Sequence, residues 1–87
     1  MDNKGLTVNV FDLNTGLTTY ENASYVRITS KDYNLLVMID YLPIIGEIQG
    51  KVDIKIGDEE LTIENIKASF MNSNNVFNLM IQGDLNE

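Results

Sequence analysis

SKDYNLLVMIDYLPIIGEIQGKVDIKIG, residues 30–57, is the stretch that decides the fold. Near its end, Val52, Ile54 and Ile56 alternate strictly with charged residues, which is the period of a strand with one buried face. Before it come an unbroken apolar run, Leu35–Ile39, and the only proline of the chain, Pro43. We therefore expect two strands, at residues 34–40 and 51–56, joined through a proline-containing loop.

The same alternation extends in both directions from this stretch, and turn-forming residues separate the apolar segments. The expected strands outside the central stretch are Leu6–Val10, Leu17–Tyr20, Tyr25–Thr29, a short return through Leu61 and Ile63, Ile66–Met71 and Val76–Ile81. About eight short, mostly antiparallel strands predict an all-β fold, either a small sandwich or a flattened barrel. We expect a single domain at residues 6–82, with a flexible lead at 1–5 and a flexible tail at 83–87.

Composition narrows the classes of partner. Six basic and thirteen acidic residues give a net charge of −7, which repels a phosphate backbone and argues against nucleic acid. The chain has no cysteine, so no disulfide is expected and a cytoplasmic location is the default. The run Leu35–Ile39 is far shorter than the ~20 residues that span a bilayer, so we expect no direct insertion into a membrane.

Residues that could perform catalysis are scarce. The sequence has no histidine and no cysteine, which removes the commonest general bases, thiolate nucleophiles and zinc ligands. Asp58, Glu59, Glu60 and Glu64 fall on a turn and on the polar positions of a strand. They are therefore expected to be solvated, and nothing nearby would activate a catalytic carboxylate pair. We expect a non-catalytic protein without a cofactor.

The segment Asp12–Gly16 resembles the opening of a calcium-binding loop. However, Ala23 stands where the bidentate glutamate of such a loop belongs, and Gly16 occupies the place of an oxygen ligand. A turn closed by the side chain of Asp12 explains the segment better. The six glycines are scattered and form no phosphate-binding loop.

The proline-containing loop, Asp40–Gly46, is the best candidate for a functional site. Leu42, Ile44 and Ile45 surround Pro43, and a minimal core cannot bury all of them. Exposed apolar clusters commonly mark contact sites, so an interface is one interpretation. The other is that the loop folds back and caps one end of the barrel.

Several segments also occur in the order of a known family. They are the opening strand Leu6–Val10, the turn Asn14–Gly16, the strand Ser24–Ile28, the turn and apolar strand Asp32–Met38, the loop Asp40–Ile44, the strand Gly50–Ile56 and the last strand Asn75–Ile81. Together they resemble the N-terminal β-sandwich of the epsilon subunit of F-type ATP synthases. Four positions depart from that family's pattern: Tyr33 and Leu36 replace glycines, Asn34 replaces an acid and Tyr41 replaces a histidine. The sequence therefore resembles a diverged relative.

The resemblance implies a non-catalytic rotor subunit of the central stalk in an F1-type or F1-like ATPase. It would bind a gamma-like subunit, and through it alpha- and beta-like subunits, and it would transmit rotation. Tyr41, Leu42, Pro43, Ile44 and Ile45 would then face the gamma-like subunit. Lys31, Asp32, Tyr33 and Asn34 would lie toward the membrane ring, or toward whatever replaces it.

The family's C-terminal helical hairpin, which carries inhibitory contacts and in some members an ATP site, has no counterpart among these residues, so neither property is carried over. The lost family residues fit a specialised paralogue, for example one coupled to a motility apparatus. The alternative function is a free-standing β-sandwich adaptor that binds another protein.

Overall fold

The computed structural model describes residues 5–84, and they form six β-strands. The strands are β1 (Leu6–Asp12), β2 (Gly16–Ser30), β3 (Asn34–Val37), β4 (Ile44–Ile56), β5 (Glu59–Ser73) and β6 (Val76–Asp84). The prediction of a small all-β sandwich or barrel is confirmed. None of the described residues forms a helix that could cross a membrane.

The strands close into a five-stranded barrel with one additional strand. The hydrogen-bonded order is β1-β6-β5-β4-β2-β3, and β1 also pairs with the first half of β2, which closes the ring. The β1–β6 pairing is parallel and every other pairing is antiparallel. β3 lies outside the ring and pairs only with the second half of β2.

The barrel is flattened because its long strands bend and contribute to two layers. The pairing register of β2 shifts between Ala23 and Tyr25, next to Asn22, whose φ is 63°. The register of β5 shifts next to Asn65, whose φ is 57°. Asparagine tolerates this left-handed conformation, and an extra residue in one strand bends it. The first layer holds β1, β6, the first halves of β2 and β4, and the second half of β5. The second layer holds β3 and the remaining halves of β2, β4 and β5.

The two layers enclose one apolar core. Its largest fully buried side chains include Phe70 and Phe77, whose rings stack with centroids 5.4 Å apart. Stacked aromatic pairs of this kind stabilise a core beyond the area that they bury. The buried apolar residues are Leu6, Val8, Val10, Ala23, Val26, Ile28, Val37, Ile48, Val52, Ile54, Ile66, Ala68, Phe70, Phe77 and Leu79. Most of these residues alternate along their strands, as the period of two predicts, but in β4 Asp53 is buried as well, between Val52 and Ile54.

The structure has six strands where the sequence pattern indicated eight. Asn22 and Asn65 interrupt the alternation as turn residues do, but each lies within one continuous strand, at a bend. β3 ends at Val37 rather than Asp40, and β4 begins at Ile44, inside the predicted loop. At the C-terminus β6 includes Gly83 and Asp84. The expected lead and tail otherwise fall on residues 1–4 and 85–87, outside the described part of the chain.

Candidate protein-binding surface

The proline loop, residues 38–43, connects β3 to β4 and presents apolar side chains to solvent. Leu42 is 73% exposed and Ile45, at the start of β4, is 74% exposed. Pro43 is also exposed, whereas Tyr41 and Ile44 are half-buried and pack against the core. The expectation that part of this cluster remains uncovered is therefore confirmed, and two of its five residues also cap the core.

Hydrogen bonds hold the proline loop against the β5–β6 turn. The backbone N–H of Asp40 donates to Oδ1 of Asn75 at 2.6 Å, and Nδ2 of Asn75 donates to Oδ1 of Asp40 at 3.2 Å. Within the loop, the N–H of Tyr41 donates to the carbonyl of Met38 at 3.1 Å. Asp40 has a φ of 62°, a conformation that a non-glycine residue adopts only at a cost. The reciprocal Asp40–Asn75 pair offsets that cost and fixes the loop.

Asn72 is a buried polar residue beneath the same loop. It is only 1% exposed, and its Nδ2 donates to the carbonyl of Leu42 over a long 3.4 Å. Its Oδ1 is buried and has no hydrogen-bond partner among the described residues. An unpaired buried acceptor destabilises a fold. The amide of Asn72 thus contacts the proline loop through its nitrogen, while its oxygen remains an unpaired acceptor.

Ile45 also belongs to a larger apolar surface, which we call the apolar stripe. Exposed side chains occupy neighbouring positions on five strands: Ile45 pairs with Met71, and Met80 pairs with Phe11, which pairs in turn with Leu17. Met80 lies two residues beyond the register partner of Met71, which is a diagonal contact distance of about 7–8 Å. All five side chains are between 48% and 74% exposed. The stripe thus crosses the outer face of the first layer from β4 to β2.

A polar row lies beside the apolar stripe, and its hydrogen bonds are made within the protein. Nδ2 of Asn9 donates to Oδ1 of Asn78 at 2.9 Å, and Oγ1 of Thr19 donates to Oδ1 of Asn9 at 2.9 Å. Polar groups that already have partners are less costly to remove from water. Covering this face with a partner protein would therefore cost little desolvation energy, because these polar groups keep their hydrogen bonds within the protein.

The outer face of the second layer differs strongly from this surface. Charged and hydroxyl side chains follow each other across its strands, and Asp53, which is 7% exposed, accepts a 2.6 Å hydrogen bond from Oγ1 of Thr62. Tyr25 donates to Glu60 at 2.8 Å, and this bond raises the pKa of Tyr25 above its ordinary value. The guanidinium of Arg27 lies 5.5 Å from the centre of the Tyr25 ring. The apolar face and the polar face are thus on opposite sides of the molecule.

The family resemblance also implied a second set of residues, Lys31, Asp32, Tyr33 and Asn34. The first three form the turn between β2 and β3, and Asn34 is the first residue of β3. Lys31, Asp32 and Asn34 are exposed. Tyr33 instead packs against the core, and its hydroxyl donates to the carbonyl of Glu47 at 2.6 Å. Partial burial, and then the charge of Glu47, raise the pKa of Tyr33. The structure thus gives Tyr33 a role in the fold, separate from any contact by its neighbours.

The other chemical candidates have structural explanations. The N–H of Asn14 donates to Oδ1 of Asp12 at 2.9 Å, which confirms the side-chain-closed turn. Asp58, Glu59, Glu60 and Glu64 are all exposed, as predicted. Within residues 5–84, no three acidic side chains form a group that could hold a metal ion.

Sequence reasoning missed most of the apolar stripe. Phe11, Met71 and Met80 each follow a buried apolar residue directly, so each is out of phase with the alternation of its strand. Because successive side chains of a strand point to opposite faces, an apolar residue directly after a buried one is expected to be exposed. Only the register shows that residues from five strands form one surface.

The sequence matches no known protein family and no curated protein. The fold, however, is similar to that of a chain in the cryo-EM structure of the central stalk and c-ring of the Tetrahymena thermophila mitochondrial ATP synthase. The TM-score is 0.73 at 8% sequence identity, over 95% of this chain and 67% of that chain. The fold of this protein therefore resembles that of a component of an ATP synthase central stalk and c-ring assembly.

Proposed function

We propose that this protein is a non-catalytic, epsilon-like subunit of the central stalk in an F1-type or F1-like ATPase. It binds a gamma-like subunit through the apolar stripe and the proline loop, and through that subunit it is connected to alpha- and beta-like subunits. The observation that carries the proposal is the apolar stripe, which ends at Ile45, close in the chain to the exposed Leu42 of the proline loop. The similar fold of an ATP synthase stalk and c-ring chain supports it.

The geometry suits a part that transmits force. Permanent subunit interfaces are more apolar than transient ones, and the apolar stripe supplies five large side chains on strands of a closed barrel. Because every strand of the ring has neighbours on both sides over part of its length, the surface is held rigidly. A rotor subunit needs such a surface, and it needs no catalytic residues of its own.

The remaining parts of the proposal follow from its place in such a complex. Lys31 and Asp32 on the β2–β3 turn and Asn34 at the start of β3, all exposed, would lie toward the membrane ring or its replacement. The complex would sit on the cytoplasmic face of a membrane. A specialised paralogue, coupled to a motility apparatus instead of a proton-conducting ring, fits the departures at Tyr33, Asn34, Leu36 and Tyr41 from the family's pattern.

The test is a native pull-down of the tagged protein from its own cells, with mass spectrometry of the retained proteins. We expect alpha-, beta- and gamma-like ATPase subunits. In the double variant Leu42→Asp/Ile45→Asp these subunits should be lost, because two charges would enter an apolar contact. Leu36→Asp is the matched control, since Leu36 is an exposed leucine on β3, outside the apolar stripe.

Two other outcomes of the pull-down would contradict the proposal, and a third would extend it. Capture of ATPase subunits by the double variant at the level of the unchanged protein would remove the proline loop from the interface. A pull-down that retains no ATPase subunit would favour the free-standing adaptor. Ring subunits, or a different membrane apparatus, among the retained proteins would identify what the stalk is coupled to.

A further inference from the structure

A second surface lies at the far end of the β4–β5 hairpin from the proline loop. There, residues 59–63 of β5 pair with β4 alone, because the pairing of β5 with β6 begins only at Ile66. Residues 16–20 of β2 pair with β1 alone, because the pairing of β2 with β4 begins only at Ala23. Each segment therefore has one unpaired edge among the described residues, and both segments border the same opening in the barrel.

A cleft of about 210 Å³ lies in this opening, and we call it the edge cleft. Its lining residues are Tyr20, Ile54, Ile56, Glu59, Glu60 and Leu61. Leu61 is the register partner of Ile54 and so faces inward with it. Ile54 is fully buried, whereas Leu61 remains 37% exposed. An inward-facing leucine is thus left uncovered at the mouth of the barrel.

The size of the edge cleft and the charges around it restrict what can bind there. Small-molecule pockets usually enclose about 300–1,000 Å³, so the cleft fits an anchoring side chain better than a whole ligand. The exposed acidic residues near it are Glu21, Asp58, Glu59, Glu60 and Glu64. By register the nearest basic side chain is that of Lys55, opposite Glu60. A second copy of this chain, with its net charge of −7, would be repelled, whereas a basic segment would be attracted.

Acidic residues on a strand edge can also serve to prevent aggregation. That role accounts for the charges, but it leaves the exposed Leu61 and the apolar floor of the edge cleft unexplained. A bound extended segment accounts for the charges, the exposed Leu61 and the apolar floor together. Such a segment pairs with the edge of a strand through backbone hydrogen bonds, which give affinity, and buries alternate side chains in a pocket, which gives specificity.

We propose that the edge cleft binds an extended, basic segment of a partner protein. The segment adds a strand along residues 59–63 of β5, on the edge that is unpaired within residues 5–84, and places one apolar side chain over Leu61 and Ile56. This site lies at the opposite end of the hairpin from the proline loop, and no residue of the apolar stripe lines it. The proposed site therefore uses different side chains from the proposed stalk contact.

The test uses the full chain and a fluorescent seven-residue peptide of alternating lysine and leucine as the probe. Fluorescence anisotropy measures binding, and NMR locates it. We expect saturable binding, with shifts and slowed amide exchange concentrated at residues 59–63. In Leu61→Thr the affinity should fall about tenfold, because an apolar contact of roughly 1.5 kcal/mol is lost. Leu36→Thr, which changes an exposed leucine on β3, should bind as the unchanged protein does.

Two control peptides separate the parts of the proposal. A peptide in which every backbone amide is N-methylated has the same charge but has no N–H to donate to a strand edge, so its affinity should be lower. A peptide with glutamate in place of lysine should not bind. Equal binding of either control, unchanged affinity in Leu61→Thr, shifts located elsewhere, or no binding of the probe would each overturn the proposal. Protection of residues 59–63 that depends on protein concentration alone would identify a second copy as the occupant.

Discussion

At the scale of single residues, the exposed apolar side chains of the proline loop depend on two asparagines of the β5–β6 hairpin. Asn75 bonds both to the backbone N–H and to the side chain of Asp40, and the buried Asn72 contacts the carbonyl of Leu42. Asparagine adopts positive φ readily, which suits a turn between the expected strands Ile66–Met71 and Val76–Ile81. The structure confirms that conformation at Asn74 and Asn75. The contacts with the proline loop could not be predicted, because they join residues that are distant in sequence.

The Asp40–Asn75 pair can be tested with a matched pair of variants. Asn75→Gly keeps the positive φ available and removes only the side chain, so we expect a loss of about 1 kcal/mol from the free energy of unfolding. Amide exchange should quicken at residues 38–43. Asn74→Gly is the control. Asn74 has a similar φ of 53°, and its side chain makes no hydrogen bond to another residue within residues 5–84. Equal effects of the two variants on exchange in the proline loop would contradict the role of Asn75.

Tyr33 gives the fold a dependence on alkaline pH. Its raised pKa means that folding favours the neutral phenol, which donates to the carbonyl of Glu47. The resulting stabilisation is fully present below the ordinary tyrosine pKa of 10.0 and is lost as the pH rises through the higher pKa of the folded protein. Urea denaturation between pH about 9 and about 11 should therefore show falling stability. Tyr33→Phe should be less stable at pH about 9 and less dependent on pH; an unchanged slope would refute the role of Tyr33.

At the scale of elements, the bends in the long strands decide how two layers form from six strands. The alternation in the sequence predicted that these segments are strands, because a period of two is a local property, but it did not give their number or all their bounds. It did not predict that β2 and β5 each continue through an asparagine, because a bend and a turn use the same residue at the same φ. The apolar stripe was missed for a related reason: which exposed side chains become neighbours depends on register, and register is set by the whole sheet.

The close packing of β2, β4 and β5 depends on Gly50, which lies where the β4–β5 register shifts and pairs with both Ser30 of β2 and Ile66 of β5. A Cβ at this position would collide with the carbonyl oxygen of Thr29. Gly50→Ala should therefore force the strands apart and cost about 1–3 kcal/mol, which lowers Tm by roughly 4–8 °C for each kcal/mol. Gly83→Ala is the control, since no atom lies within 4 Å of a Cβ there. Thermal unfolding followed by circular dichroism tests this, and equal Tm values for the two variants would contradict it.

At the scale of the whole molecule, apolar and polar side chains are distributed unequally over the two outer faces. A face with five exposed large apolar side chains is costly for an isolated protein, because such patches promote association. The opposite face is polar, and Asp53, Thr62, Tyr25 and Glu60 bond to each other there in pairs. The asymmetry is what the proposed stalk subunit requires, with one side covered and the other in water.

The isolated protein should therefore associate with itself through the apolar stripe, against the repulsion of its net charge of −7. Salt weakens that repulsion, because the screening length falls from about 30 Å at 0.01 M to about 3 Å at 1 M, while the apolar attraction remains. Sedimentation velocity should thus show larger species as salt or protein concentration rises. Phe11→Ser/Met80→Ser should remain monomeric at high salt, whereas Leu36→Ser should behave as the unchanged protein. Association that weakens with salt, or that persists in the double variant, would show that charges or another surface hold the copies together.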